Sequence, residues 1–274
     1  MPSSSRDILP ASAPPPYTEY HPPSFPSATS HRTSISTEHS SNNSPNLHNN
    51  PSLLVIRQKS KKIQLTEPWH GDLCDLETTS SQIAVNTTLW AERWIRLRTT
   101  SSKIYVDQEI MAPQIHLETT NARFKIKGQV NASDLLRLST DNSRIEVIEP
   151  ARLEGSRIYV ETTNSRIRLD DVRPSKLLHV KTTSGAIQVN VIYGSPSVKA
   201  LFKTTNSKVV IHFPTTFAGY FRVKTTKSGK ALVNSANIFL DVDEPNEKIG
   251  RQGSGDGYID IETSSSDAEL IFDK

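Results

Sequence analysis

One short pattern recurs along this chain and constrains its fold more than any other feature. Thr78-Thr79-Ser80-Ser81 returns as Thr99-Thr100-Ser101-Ser102, Thr119-Thr120-Asn121-Ala122, Thr162-Thr163-Asn164-Ser165, Thr182-Thr183-Ser184-Gly185, Thr204-Thr205-Asn206-Ser207, Thr225-Thr226-Lys227-Ser228 and, degenerately, Thr263-Ser264-Ser265-Ser266. Ser139-Thr140-Asp141-Asn142-Ser143 reads as the same unit with one residue inserted. Successive starts lie 20 to 23 residues apart, with one gap of 38 after Thr225. A unit of about twenty residues cannot enclose a core of its own, so neighbouring units must stack and share one.

The flanks of each signal alternate apolar and polar. Ile95-Arg96-Leu97, Ile115-His116-Leu117 and Ile158-Tyr159-Val160 precede it; Ile104-Tyr105-Val106, Phe124-Lys125-Ile126 and Ile187-Gln188-Val189 follow it. That period of two is the signature of half-buried strands, and no segment shows helical periodicity. Each unit therefore reads as strand, Thr-Thr and Ser/Asn corner, strand, loop. Two all-β arrangements satisfy this: a β-solenoid, single-stranded and β-helix-like with about 20 residues per coil, or an antiparallel β-sandwich of repeated hairpins. Stacked parallel coils reward the same residue at the same position, whereas hairpins need complementary cross-strand partners. The repeat predicts the solenoid, with one threonine of each pair directed inward or at the corner and its neighbour outward.

The gap of 38 is close to two periods, and Ile238-Phe239-Leu240-Asp241-Val242 reads as a coil whose Thr pair has been lost. Gly250 to Gly257 reads as an exposed loop. At the other end Leu53 to Leu65, with Arg57, Lys59, Lys61 and Lys62, is expected to form the first strand or cap.

Composition sets the domain boundaries. The chain of 274 residues is 35% hydrophobic, and residues 1–52 hold ten of its 17 prolines, 13 serines and no glycine. Such a stretch cannot bury enough apolar surface to offset its ordering entropy, which predicts a disordered Pro/Ser-rich tail over 1–52 and a solenoid over 53–274. Beyond residue 52 stand 30 Lys+Arg against 26 Asp+Glu, an excess too mild to demand nucleic acid or membrane as a partner. Cys74 is the only cysteine, which excludes disulfide scaffolds and multi-cysteine metal sites. No apolar run approaches a membrane span, and the first residues lack a signal-peptide pattern, so the expectation is an intracellular, cytoplasmic protein.

The tandem Thr-Thr-Ser/Asn-Ser-x-Ile-x-Val units resemble the adhesin-like β-solenoid domains of unknown function. The attached Pro-rich tail, with its Pro-Pro-Pro-Tyr run, is similar to that of uncharacterised fungal proteins carrying such domains. The resemblance covers roughly residues 53–274 plus the tail, implies the solenoid fold, and brings no catalytic residues.

The sharpest short motif is Pro14-Pro15-Pro16-Tyr17, which matches the Pro-Pro-x-Tyr ligand of WW domains. Consecutive prolines preform a polyproline II helix for an aromatic-lined groove, and the tyrosine adds an anchor. Aligning the repeats gives a second candidate. The position just before the post-corner strand is Gln82, Lys103, Arg123, Arg144, Arg166, Ala186, Lys208, Lys230 and Asp267, a column holding six cations. The position before the threonines is Glu77, Arg98, Glu118, Ser139, Glu161, Lys181, Lys203, Lys224 and Glu262. Together these predict a basic strip of Lys181, Lys203, Lys208, Lys224 and Lys230, suited to an anionic ligand such as a polyanion or an anionic membrane surface. A carbohydrate-active β-helix enzyme is the rival reading. Its only tight acid groups are Asp170-Asp171 and Asp241-Val242-Asp243-Glu244, placed in loops and without an aligned base. His116 and His179 are expected on the surface, two coils or more apart, too far for one metal site. Cys74, Trp69, Trp90 and Trp94 are expected to pack the first coils. The function read from the sequence is a non-enzymatic interaction scaffold without cofactor or metal.

Overall fold

A computed structural model describes residues 52–192 and 194–273. Residues 1–51, with Pro14-Pro15-Pro16-Tyr17 and almost all of the predicted tail, lie outside the described residues. The strands are β1 (Leu53–Gln58), β2 (Ile63–Leu65), β3 (Trp69–Thr78), β4 (Ile83–Val85), β5 (Leu89–Thr99), β6 (Ile104–Val106) and β7 (Ile110–Thr119). There follow β8 (Phe124–Ile126), β9 (Gln129–Thr140), β10 (Ile145–Val147), β11 (Arg152–Thr162), β12 (Ile167–Lys181), β13 (Ile187–Val191) and β14 (Lys199–Lys203). The last are β15 (Val209–Phe213), β16 (Gly219–Thr225), β17 (Ala231–Asn234), β18 (Ile238–Glu244), β19 (Glu247–Gln252), β20 (Gly257–Thr263) and β21 (Ala268–Phe272).

These strands wind into a parallel β-solenoid. One ladder runs β1, β3, β5, β7, β9, β11, the end of β12, β14, β20 and β16. A second ladder runs β2, β4, β6, β8, β10, the start of β12, β13, β15, β21 and β17. Register shifts such as that between Gly71 and Leu73 bend the long strands, so each early coil presents three short runs of ladder. The parallel register rules out the hairpin sandwich.

Alternation explains the core. Ile95 and Leu97, Ile115 and Leu117, Leu136 and Leu138, and Ile158 and Val160 point inward on successive rungs and are fully buried. Ile83 and Val85, Ile104 and Val106, and Ile145 and Val147 meet them from the second ladder. Like residues thus stack on like residues at the interstrand spacing of about 4.8 Å.

The first threonine of each pair is buried, from Thr78 and Thr99 through Thr225 to Thr263, while Thr79, Thr100 and Thr205 are exposed. Each inward hydroxyl donates to a backbone carbonyl at the corner, for example Thr99 to Ser81 at 3.2 Å, Thr182 to Ser165 at 3.1 Å and Thr204 to Gly185 at 3.0 Å. A β-branched side chain that fits the strand therefore also satisfies a carbonyl that the bend turns away from the ladder.

The structure corrects the reading of three segments. Thr140 stacks between Thr119 and Thr162, so Ser139 belongs to β9 and that unit carries no insertion. Ile238–Val242 is not a coil: it lies in β18, which pairs antiparallel with β19, and β19 pairs antiparallel with β16. Pro245-Asn246, a good pair of turn formers, closes this hairpin over the end of the first ladder. Finally, Gly250 to Gln252 are strand residues, Gly257 begins β20, and only residues 253–256 between them lack strand structure.

Coil order is the largest departure. The coil formed by β20 and β21, last in sequence, sits between the coil of β14 and β15 and the coil of β16 and β17. The chain lays down its outermost coil, caps it with the hairpin, and then returns to fill the rung beneath.

Candidate functional site

The Ser/Asn corner stacks rung on rung. Asn142 Nδ2 donates to Asn121 Oδ1 at 2.9 Å and Asn164 Nδ2 to Asn142 Oδ1 at 2.8 Å, forming a short amide ladder. The residue ending each corner is set in register by the backbone: Ile83 N–H bonds Lys103 O at 3.3 Å and Ile145 N–H bonds Arg166 O at 3.0 Å. Lys103, Arg123, Arg144 and Arg166 therefore form an exposed row of cations on consecutive rungs. A shallow groove runs beside the first three, lined by Ser101, Ser102, Lys103, Asn121, Arg123 and Arg144 among others.

Arg144 reaches Glu146 at 3.4 Å and Arg166 bonds Gln188 at 2.6 Å. Among the described residues no carboxylate pairs with Lys103 or Arg123. On the adjoining face Lys125 lies 5.6 Å from the ring centre of Tyr105, adding a further cation. The result is a basic corner flanked by hydroxyl and amide donors.

The strip read from the sequence has a different fate. Lys181 and Lys203 are neighbours in the ladder, but Glu262 stands between Lys203 and Lys224. Lys203 Nζ pairs with Glu262 at 3.0 Å, Lys208 Nζ with Glu269 at 3.1 Å, and Lys224 Nζ with Glu247 at 3.2 Å. Lys230 donates its backbone N–H to Asp267 at 2.8 Å. The intercalated coil thus divides the strip with acids, and the unbroken cation row is the one from Lys103 to Arg166.

The acids raised by the enzyme reading are strand residues, not loop residues. Asp170 pairs with Arg168 at 3.0 Å, and Asp171 is held by Arg173 at 2.9 Å and Arg152 at 3.3 Å. Asp241 and Asp243 belong to β18, where Asp243 pairs with Lys248. Among the described residues no group of three or more His, Cys, Asp or Glu is arranged to hold a metal ion.

His116 and His179 occupy one outward column, separated by Arg137 and Tyr159. His116 is nevertheless only 6% exposed, against the surface placement expected. Long neighbours on both rungs, Arg96 and Arg137, cover it. Burial pushes the imidazole below the usual histidine range; Glu118 opposes this, and Arg137 and Arg96 add to it. His179, packed edge-on against Tyr159, is lowered chiefly by burial as well.

Cys74 and Trp69 are buried as expected, and burial, with Asp75 beside it, raises the Cys74 thiol far above its ordinary value. Trp90 departs from the expectation. It is 47% exposed and stacks on His70 at 4.1 Å, because it takes an outward position on β5.

No family, curated protein or solved structure matches this chain. Among the described residues no helix is long and apolar enough to cross a membrane.

Proposed function

We propose that this protein is a non-catalytic interaction scaffold whose solenoid presents the row Lys103, Arg123, Arg144 and Arg166 to an extended anionic ligand, while Pro14-Pro15-Pro16-Tyr17 docks a WW-domain partner. The observation that carries this reading is the register of the row: four cations on consecutive rungs, three of them lining a groove supplied with Ser and Asn donors. A rigid ladder holds these charges at a fixed repeat, so a linear polymer of anions meets several at once without reordering the protein. The acids elsewhere on the solenoid support a non-catalytic role, since Asp170 and Asp171 are engaged by arginines.

Heparin binding by the full chain, measured across a salt series, tests the solenoid arm. Each cation lost from a phosphate-like contact lowers the slope of log affinity against log salt by about 1. Lys103→Ala with Arg123→Ala and Arg144→Ala is expected to reduce affinity and slope, whereas Lys203→Ala with Lys208→Ala leaves both nearly unchanged. Equal losses in the two sets would contradict the assignment. For the tail, pull-down by a WW domain that persists after Tyr17→Ala would remove that arm.

A further inference from the structure

The coil of β20 and β21 is held on both sides by chain that precedes it. Without it, the rungs β14–β15 and β16–β17 would face each other across an open slot with bare ladder edges and apolar surface. The segment fits that slot in three ways. Its inward side supplies Ile259, Ile261, Ala268, Leu270 and Phe272, the last lying 5.9 Å from both Phe217 and Phe221. Its backbone completes two ladders at once. Its charge is one-signed: from Gly257 to Phe272 it carries Asp260, Glu262, Asp267 and Glu269 and no Lys or Arg.

The slot is charged in the opposite sense. Arg222 grips Asp260 through two bonds of 2.9 and 3.0 Å, Lys203 pairs with Glu262, and Lys208 with Glu269. Two of the five lysines that read as a binding strip in the sequence, Lys203 and Lys208, seat an acidic segment of the same chain with their side chains, and Lys230 adds a backbone N–H to Asp267. Attraction of this kind speeds encounter and fixes register. The tether is short and glycine-rich: Gly253-Ser254-Gly255-Asp256, with Gly253 at φ +62°, joins the cap hairpin to the segment.

We propose that this slot is an interaction site for a second copy of the chain, which two copies fill reciprocally by exchanging residues 257–272. Every contact the segment makes within one chain is available unchanged in the partner, so exchange alters only the path of residues 253–256 and the entropy of association. The slot is complete before its occupant in sequence order, which leaves it open to the segment of either copy while the chain folds. Charge complementarity and the two ladder edges select this segment over an arbitrary strand.

The test uses two full-length variants, Lys203→Cys and Glu262→Cys, whose positions face each other across adjacent rungs. Adjacent parallel residues lie within the separation a disulfide spans. The two proteins are unfolded, mixed, refolded at increasing concentration under mild oxidation, and separated by size-exclusion chromatography with light scattering. Exchange predicts a dimer whose share rises with refolding concentration and which contains a disulfide between the two variants. The double variant Lys203→Cys/Glu262→Cys refolded dilute should close the same bond within one chain. A monomer at every concentration, or a dimer without the mixed disulfide, overturns the proposal.

Discussion

The hydroxyl of Thr263 donates to the backbone carbonyl of Ser207 at 3.0 Å, across 56 residues of sequence. Among the described residues every other inward threonine hydroxyl bonds a carbonyl at most 21 residues away, such as Thr204 with Gly185. The Thr263 bond therefore records the return of the chain end into the stack. Replacing Thr263 by valine keeps the shape and β-branching but removes the donor. The expected cost is about 1 kcal/mol, a fall in Tm of about 2–4 °C for a domain of this size. Thr205→Val, on the exposed face of its pair, should change stability by less than about 0.5 kcal/mol. Calorimetric melting of the two variants measures the difference.

Gly185 takes the place of the corner serine where two coils approach closely. A Cβ there would stand 1.8 Å from the carbonyl oxygen of Ser165, and the Gly185 N–H already bonds the Thr182 hydroxyl at 3.2 Å. Gly185→Ala must push two rungs apart and is expected to destabilise by about 1–3 kcal/mol. Ser184→Ala, one residue away and exposed, should be near neutral. Urea unfolding midpoints of the pair check this.

His116 and His179 are both held below the usual histidine range, principally by burial. In the unfolded chain they take up protons near pH 6.5; in the folded chain they resist until lower pH. The unfolded state therefore binds more protons between these limits, and stability falls as pH drops from 7 toward 5. Replacing both by glutamine should flatten that fall. The measurement is Tm against pH for the native and doubly substituted proteins; parallel curves would contradict the assignment.

Cys74 is buried, and desolvation with the neighbouring Asp75 raises its pKa far above the usual thiol value. Thiolate is the reactive form, so the folded protein should show no reaction with an aromatic disulfide reagent over hours. Adding denaturant should release one equivalent promptly. Reaction at the same rate in both conditions would mean that the first coils are open.

Much of the fold is legible because the solenoid writes the same chemistry at each turn. The pairing of an inward Thr with an outward one, seen at Thr99 and Thr100, follows from strand alternation alone. Coil order does not, since a repeat that lets any coil stack on any other leaves their sequence in space unspecified. Charge carries part of the missing information: Lys181 already stacks on Lys203, and Glu262 on the next rung spares Lys203 a second like-charged neighbour in Lys224. Gly250 misled for a different reason. It reads as loop by composition, yet its missing Cβ lets β19 lie close to Phe239 and the ring of Phe221. At the candidate site the six-cation column was visible from alignment. Its run of four, Lys103 to Arg166, stands apart because the later lysines meet the acids of the intercalated coil and the cap hairpin.

Disulfide trapping along one outward column tests the architecture most directly. In this structure Leu201 lies beside Asp260, and Asp260 beside Arg222. A stack in sequence order would instead place Leu201 next to Arg222. Under mild oxidation Leu201→Cys with Asp260→Cys should close an intramolecular disulfide, whereas Leu201→Cys with Arg222→Cys, two rungs apart at about 9–10 Å, should stay reduced. A disulfide in the second variant and none in the first would contradict the intercalated coil.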